Sequence, residues 1–206
     1  MKIEKIPVGI LGTNCYLAIN EETNEAVIID PGGASRRLAG HIEEEGYKPQ
    51  AILLTHGHFD HIMGIDALLG KWEMPVYVHE EDRDVMNDAR LNLSASYTSG
   101  YTFSEAEYIK DGQELRFAGY VFRAIHTPGH TKGGVCYYVE EEGALFSGDT
   151  LFQNSVGRTD FVNSSTIDLI DSIRERLFVL PDKTHVFPGH SGETTIGHEK
   201  MYNPFV

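Results

Sequence analysis

The sequence predicts an α/β (α+β) fold in which two β-sheets pack against each other and helices cover their outer faces. Apolar runs with strand spacing alternate with amphipathic runs of helical spacing in both halves of the chain, and antiparallel hairpins occur among them. Four apolar strands each end in a glycine-containing turn that carries His or Asp. The 206 residues, 41% of them hydrophobic, suffice for one domain, residues 1–206, with one sheet from each half.

In the first half, strands are predicted where short apolar runs are bounded by turn residues. A hairpin is expected around the polar turn at residues 21–24, and the helical spacing of Leu38 and Ile42 stops at Gly46. The predicted strands cover residues 2–8, 15–20, 25–30, 51–54 and 75–78. The predicted helices cover residues 35–46, 64–72 and 79–86.

In the rest of the chain, residues 91–102 are rich in Ser, Thr and Tyr without a clear period, and we predict a mobile segment near the functional site. An amphipathic helix is indicated where Ile167, Ile170, Ile173 and Leu177 fall on one face. The predicted strands cover residues 121–125, 135–140, 144–147 and 184–187. The predicted helices cover residues 166–177 and 195–201.

The amino-acid composition limits the kinds of partner that the protein is expected to bind. The formal net charge is −14 and no basic run occurs, which argues against nucleic-acid binding because phosphates require clustered Lys and Arg. No apolar run reaches the ~20 residues of a membrane span, and the start of the chain lacks a signal core, so we expect a cytoplasmic protein acting on a small molecule. Cys15 and Cys136 are expected to be buried, reduced thiols. The oligomeric state stays open.

The run from His56 to His61 places four candidate metal ligands directly after the apolar strand 51–54. A solvated polar turn is the alternative interpretation, but three imidazoles and a carboxylate next to a buried strand favour convergence on one point. Imidazole and carboxylate together suit zinc, iron or manganese better than magnesium or calcium. The remaining strand-end turns carry His130, Asp149 and His190, and ligands at the strand ends of both sheets would meet along one edge.

The pattern His56-x-His58-x-Asp60-His61, followed by His130, Asp149 and His190 in that order, resembles the metallo-β-lactamase superfamily. The resemblance implies an αββα sandwich and two divalent metal ions, with zinc the first expectation and iron or manganese the alternatives. It implies that one ion is held by His56, His58 and His130, the second by Asp60, His61 and His190, and that Asp149 bridges both.

Within that superfamily the chain is most similar to glyoxalase II-like (hydroxyacylglutathione hydrolase-like) enzymes. Residues 127–131, 147–152, 157–161 and 196–205 carry this similarity, although persulfide dioxygenases share the Gly-Arg-Thr-Asp-Phe run at 157–161. The extra C-terminal helical substrate domain of glyoxalase II does not follow His190, and Ser191-Gly192-Glu193 stands where that family has a glutathione-contacting Tyr. Whether glutathione is used is therefore left open.

The resemblance implies hydrolysis of a small acyl thioester or ester. Two metal ions can lower the pKa of a shared water to ~7, and the hydroxide would attack the carbonyl while Asp60 orients it. A thiolate leaving group, with a thiol pKa near ~8.5, needs no separate general acid. Arg158 is expected at the substrate, and Thr55, Thr131 and Asp160 are expected behind the ligands, with Asp160 able to pair with Arg158. Ser147 and Thr150 are further candidates for supporting hydroxyls.

Other functions are kept as alternatives. A mononuclear iron persulfide dioxygenase would need one ferrous ion and oxygen, whereas the hydrolase needs two metal equivalents. A lactonase and a non-catalytic metal-binding module are further alternatives, and a nuclease is disfavoured by the acidic balance. The other histidines lack partners at ligand spacing and are expected to be structural: His41, His79, His126, His185 and His198.

Overall fold

A computed structural model of the protein describes residues 1–33 and 36–206. The first half forms a six-stranded sheet in which the strands follow chain order from β1 to β6. The first three strands are antiparallel, and the last four run parallel to one another. The strands are β1 (Lys2–Val8), β2 (Thr13–Ile19), β3 (Glu25–Ile29), β4 (Lys48–Leu53), β5 (Val76–His79) and β6 (Glu107–Ile109).

The second half forms another six-stranded sheet and a small two-stranded ribbon. Its strands are β7 (Glu114–Phe117), β8 (Tyr120–His126), β9 (Val135–Val139), β10 (Ala144–Gly148), the ribbon strands β11 (Leu151–Phe152) and β12 (Ser155–Val156), and then β13 (His185–Pro188) and β14 (Thr194–Thr195). The strand order in the sheet is β14-β13-β10-β9-β8-β7, and β10 and β13 are parallel neighbours. The two sheets thus come from the two halves, as predicted.

Seven short helices in the described part of the chain surround the sheets. They are α1 (Arg36–Glu44), α2 (Phe59–Ile62), α3 (Ile65–Leu69), α4 (Arg83–Asn87), α5 (Ser94–Tyr97), α6 (Thr166–Ser172) and α7 (Ile196–Tyr202). Glu80–Asp82 and Glu140–Glu142 form 3₁₀ turns, and Ile173–Leu177 continues α6 as a π-helical turn. In the part of the chain that the structure describes, every helix is too short or too polar to cross a membrane.

The core explains why β2 is buried along its whole length. Its odd-numbered residues, such as Leu17, face the helices of the first half, while Tyr16 and Ala18 face the second sheet. Phe122 and Phe146 of the second sheet fill the space between the sheets, and Phe146 lies 5.6 Å from Tyr16, ring centre to ring centre. A third cluster packs α6 and α7 on the outer face of the second sheet. The layer order helix, sheet, sheet, helix confirms the predicted αββα sandwich.

Several predicted boundaries need correction. The first helix covers Arg36–Glu44, and Ser35, its predicted start, lies outside the described residues. The predicted helix at 64–72 is shorter, because glycines stand at both ends of α3. Residue 79 belongs to β5, so the predicted helix at 79–86 starts later, with a 3₁₀ turn.

Some elements were not predicted. The strands β6 and β7 are short and largely polar, and the ribbon strands β11 and β12 have two residues each, so none of them has an apolar pattern long enough to indicate a strand. Residues 91–102, predicted to be mobile, contain α5 and a network of hydrogen bonds. Buried Asn92 and Ser94 both donate to the Tyr101 carbonyl, at 2.8 and 3.0 Å.

Candidate metal centre

The loop after β4 brings four polar side chains into the interior. His56 and His58 lie on a loop outside any strand or helix, and their ring nitrogens come together in one candidate ligand group. Helix α2 then begins at Phe59, and its first turn places Asp60 and His61 beside them. All four side chains are buried, with at most 7% of the residue exposed. A buried polar loop of this kind needs partners for every polar atom.

Three turns of the second half meet this loop. His130 lies between β8 and β9, Asp149 follows β10, and His190 follows β13. Because β10 and β13 are parallel neighbours, Asp149 and His190 leave the sheet at the same edge. The amide of Val135 donates to the Thr55 carbonyl at 2.9 Å and so ties the loop of the first sheet to the second sheet. All seven predicted ligands therefore converge at one edge of the sandwich.

The candidate ligand atoms form three overlapping groups, and within each group they lie within 4.8 Å of one another. We call His56, His58 and His130 the first half-site, and Asp60, His61 and His190 the second half-site. The third group, which contains Asp149, overlaps both half-sites through His56 and His61.

Asp149 lies between the two half-sites. Its Oδ1 is 3.4 Å from His61 Nε2, while its Oδ2 is 3.6 Å from His130 Nε2 and 3.7 Å from His190 Nε2. One carboxylate thus faces both half-sites, which is the position expected of a bridging ligand.

Several nitrogen and oxygen atoms of the cluster lack hydrogen-bond partners and are placed to bind cations. His56 Nε2, His61 Nε2 and Asp149 Oδ1 are buried without any hydrogen-bond partner. His58 Nδ1 and His130 Nε2 face each other at 2.9 Å. Unpartnered buried polar atoms are rare in folded proteins, and lone pairs converging from imidazole and carboxylate are the ligands that zinc and iron bind. The residues present therefore fit a pair of divalent ions.

Hydrogen bonds behind the cluster aim the imidazole lone pairs inward. His61 Nδ1 donates to Asp30 Oδ2 at 2.9 Å, and His130 Nδ1 donates to the Arg158 carbonyl at 2.7 Å. The Thr55 hydroxyl donates to Asp30 at 2.7 Å and can therefore accept from His56 Nδ1, 3.2 Å away. With Nδ1 bonded on the outer side, each of these rings directs Nε2 toward the centre, which is how metal-binding histidines are usually oriented.

Burial and neighbouring charges shift the pKa of His58, in the first half-site, and that of His61, in the second, in opposite directions. Burial, reinforced by neighbouring His130, lowers the pKa of His58 to about 3, so this imidazole is neutral and ready to bind a cation. Burial also disfavours a charged His61, but the carboxylates of Asp60, Asp30 and Asp149 outweigh it and hold its pKa well above the ordinary value. Burial works against the ionised Asp60 too, yet His61 and His190 keep its pKa low.

Two buried carboxylates support the cluster, and neither is among the predicted site residues. Asp30 holds Thr55 and His61, as described above. Asp82 accepts from the Gly57 amide at 2.8 Å, the Thr131 hydroxyl at 2.9 Å and the Gly133 amide at 2.8 Å. It therefore joins the His56–His58 loop to the His130 loop. Asp30 follows an apolar strand just as the ligands do, and this position in the sequence could have identified it as a site residue. Asp82 ends the acidic run 80–82, a pattern that predicts a solvent-exposed segment.

The backbone approaches the cluster closely at two glycines. A Cβ atom on Gly189 would collide with Asp149 Oδ1 and lie 2.7 Å from His61 Cε1. A Cβ on Gly32 would collide with the Asp60 carbonyl. Only glycine fits at these positions, so the chain can pass directly behind ligands of the second half-site.

The other predicted residues have mixed placements. Thr55 lies behind His56, but Thr131 bonds Asp82 and Ser147 bonds the Leu151 carbonyl. Thr150 pairs with Thr127 at 3.1 Å. Arg158 and Asp160 form the predicted pair at the mouth of the site, with Arg158 Nε 3.0 Å from Asp160 Oδ1 and Nη2 2.8 Å from Oδ2.

The histidines expected to be structural lie outside the three ligand groups found in the described part of the chain. His79 and His126 stack on each other at 3.9 Å, ring centre to ring centre. His41 bonds Glu4 and His198 bonds Asn154, while exposed His185 lies beside Phe187. Cys15 and Cys136 are buried free thiols, as predicted.

A cavity of about 230 Å³ opens beside the cluster, where His58, Asp60, His130, Asp149 and His190 form its floor. The αββα sandwich and the convergent His/Asp cluster together define a protein of the metallo-hydrolase class. The family model of the metallo-β-lactamase superfamily matches residues 8–190, and the chain belongs to that superfamily.

Curated relatives extend over the whole chain. The chain is 39% identical over 208 residues to the probable metallo-hydrolase YqgX of Bacillus subtilis, covering 100% of this chain and 98% of the relative. It is 35% identical over 209 residues to the hydroxyacylglutathione hydrolase GloC of Haemophilus influenzae, with the same coverage.

Solved structures show the same fold. The B3 metallo-β-lactamase BLEG-1 superposes with a TM-score of 0.93 at 41% identity, covering 99% of both chains. TTHA1623 in a di-iron-bound form has a TM-score of 0.86 at 35% identity, covering 98% of this chain and 100% of that one. ETHE1 from Myxococcus xanthus has a TM-score of 0.81 at 30% identity, covering 99% of this chain and 84% of that one.

Proposed function

We propose that the protein is a dinuclear metal-dependent hydrolase that cleaves a small acyl thioester or ester. The observation that carries this proposal is the joint convergence of the two half-sites on Asp149, with unpartnered ligand atoms on both sides. The GloC relative, named as a hydroxyacylglutathione hydrolase, supports a thioester as substrate. The net charge of −14 supports a small molecule rather than a nucleic acid as partner. We also propose a cytoplasmic location.

We assign one ion to His56, His58 and His130, a second to Asp60, His61 and His190, and Asp149 to both. When bound, two such ions lower the pKa of a shared water and polarise a carbonyl oxygen. Zinc, iron and manganese all suit this ligand set, and the di-iron form of TTHA1623 is a precedent for iron in a related chain. The buried carboxylates of Asp30, Asp60 and Asp149 supply the negative charge that would balance the ions.

The chain's own groups would hold the nucleophile and exclude bulk water. Asp60 Oδ2 is fixed by the Thr13 hydroxyl at 2.9 Å and lies 3.2 Å from His190 Nε2. A carboxylate held in this way can accept a hydrogen bond from the attacking water and set its direction. Phe161 closes the opposite wall, with its ring centre 5.2 Å from the His58 ring. A thiolate leaves without protonation by a separate acid.

Metal analysis combined with an assay tests this proposal. Purified protein should contain two equivalents of a divalent metal and should hydrolyse S-lactoylglutathione or a simple acyl thioester. Chelation should abolish turnover, and re-addition of zinc or iron should restore it. Full turnover by metal-free protein would overturn the proposal.

A mononuclear iron persulfide dioxygenase is the second candidate, and the likeness to ETHE1 favours it. That activity needs one ferrous iron and consumes oxygen. Oxygen uptake with glutathione persulfide at one iron per chain, without thioester cleavage, would replace the hydrolase with this second candidate.

A further inference from the structure

The cavity beside the cluster has apolar walls. Leu11, Leu93, Tyr97, Phe152 and Phe161 surround it above the ligand floor. A second lobe of about 180 Å³ shares Leu93 and Phe161 with the first and adds further apolar side chains, among them Val85, Leu91 and Val162. The two lobes adjoin each other and the candidate metal centre, because both are also lined by His58 and His130, and we refer to them together as the passage.

The rim of this passage exposes apolar surface. Leu11 is 46% exposed, Tyr97 51% and Val162 90%. The Tyr97 ring stacks on Phe59 at 4.8 Å with an interplanar angle of 17°, so it presents a flat apolar face rather than a free side chain. Apolar groups placed around a pocket gain free energy when an apolar ligand covers them, at roughly 25 cal/mol per Å².

The cations of the passage are already paired. In the described part of the chain, Arg158 is the one Arg or Lys that lines the first lobe, and Arg90 is the one that lines the second. Arg158 binds Asp160 through two parallel hydrogen bonds, and its guanidinium carbon lies 4.7 Å from the centre of the Phe161 ring. Arg90 lies beside Asp88 at longer distances, 3.5 Å from Nε to Oδ1 and 3.4 Å from Nη2 to Oδ2.

This pairing determines what the passage can recognise. A substrate carboxylate that bound the Nε–Nη2 edge of Arg158 would compete with Asp160 for it, and one that bound on the Nη1 side would lie close to the Asp160 carboxylate. The hydrogen bond from Arg158 lowers the pKa of the Asp160 carboxyl, so Asp160 is ionised at neutral pH and stays paired with Arg158. An anionic carrier would meet a guanidinium whose charge Asp160 already balances, and it would approach a chain whose net charge is −14.

We infer that the passage takes an uncharged thioester with an apolar acyl group, and that Asp160 is a specificity residue that disfavours carriers bearing carboxylates. This inference rests on the proposed thioester hydrolysis and narrows its substrate class. Glutathione, with two carboxylates, is then a poor carrier for this chain.

Binding of unhydrolysable thioethers tests the inference without requiring turnover. Metal-loaded protein is titrated calorimetrically with S-hexyl-N-acetylcysteamine, which is neutral, and with S-hexylglutathione, which is anionic. We expect the neutral thioether to bind more tightly to the unsubstituted protein. In Asp160→Asn, the ratio of the two dissociation constants should shift about five-fold toward S-hexylglutathione, the scale of an exposed ion pair.

A matched control separates this local effect from net charge. Glu114→Gln removes one negative charge from the exposed Glu114–Arg116 pair on β7, outside both lobes, and should leave the ratio unchanged. An equal shift in Glu114→Gln, or no shift in Asp160→Asn, overturns the role of Asp160. Tighter binding of S-hexylglutathione than of the neutral thioether to the unsubstituted protein overturns the substrate class.

The assay on thioesters completes the test. S-hexanoyl-N-acetylcysteamine carries four more CH₂ groups than the acetyl thioester, and burying even two of them predicts more than about ten-fold higher kcat/KM. Equal kcat/KM for the two esters overturns the apolar acyl site. Cleavage of no thioester at all, with thioether binding as expected, overturns the proposed function instead.

Discussion

The two half-sites differ in how their ligands are held. In the first half-site, Asp82 fixes the backbone of both histidine loops and contacts no ligand side chain. In the second half-site, supporting side chains bond the ligands themselves, with Asp30 on His61 and Thr13 on Asp60. The first half-site is thus positioned mainly through its loop backbones, apart from the contacts of His56 with the Thr55 hydroxyl and of His130 with the Arg158 carbonyl. The second half-site is positioned mainly by side-chain hydrogen bonds to its ligands. A single support should therefore matter more to the second half-site.

The largest expected effect comes from removing a ligand of the first half-site. His58→Ala should lose one metal equivalent and reduce kcat/KM by more than the ~10–100-fold typical of supporting residues. Its Tm should also fall, because a bound metal at about 100 times its Kd contributes ~2.7 kcal/mol to the folded state. Elemental analysis, kinetics and thermal unfolding measure these losses.

The control for this substitution is His185→Ala, which removes an exposed imidazole outside the cluster. It should keep both metal equivalents and the original kcat/KM. A folded His58→Ala protein with full turnover at one metal equivalent would contradict the ligand assignment.

Asp30→Asn should weaken the second half-site more than the first. The amide has one acceptor oxygen instead of two, so it cannot serve the Thr55 amide on one side and the Thr55 hydroxyl and His61 on the other. One of these donors then faces an NH₂ group, and the hold on His61 is weakened. We expect a fall of roughly 10–100-fold in affinity for the more weakly bound ion. Competition with a coloured chelator resolves the two affinities. An unchanged second affinity would remove Asp30 from the support of the centre.

Asp82→Asn should weaken the first half-site more than the second, and its effect on metal affinity should be smaller than that of Asp30→Asn. Its amide group would face at least one of the buried donors on Gly57, Thr131 and Gly133, and one unsatisfied buried donor costs ~1–3 kcal/mol. The free energy of unfolding in urea should fall by about this amount, and the first half-site should lose affinity before the second. A larger loss at the second half-site would reverse the distinction drawn between the two supports.

The pH dependence of the metal-free protein tests the difference in charge between the two half-sites. Folded His58 has a pKa of about 3, whereas the unfolded chain binds this proton near ~6.5, so His58 destabilises the fold as the pH drops from ~6.5 toward 3. Folded His190 has a raised pKa, because its bond to Asp60 outweighs burial. Its contribution is therefore complete below ~6.5 and is lost as the pH rises through the folded value.

Urea unfolding of chelated protein across a pH series measures both contributions. His58→Gln should reduce the loss of stability on the acidic side, and His190→Gln should reduce the loss on the neutral side. If both variants changed the same side of the profile, the two half-sites would not differ in charge as described.

The convergence of the ligands was predictable from the sequence, because residues that follow strands at the same end of a sheet lie near one another. His130, Asp149 and His190 each end an apolar strand, so their meeting at one edge follows from the sheet order. Asp82 was not predictable, because its acidic neighbours Glu80 and Glu81 are exposed and only the fold buries its side chain. The strand β6 was missed for a similar reason, since it pairs with β5 through backbone groups and carries a single fully buried apolar residue, Ile109.

Neither half of the chain contains a full ligand set for either proposed ion. The first half-site takes His130 from the second sheet, and the second half-site takes His190 from the turn after β13. Each cation would therefore link the two halves of the chain. The free energy of metal binding would then stabilise the packing of the two sheets against each other.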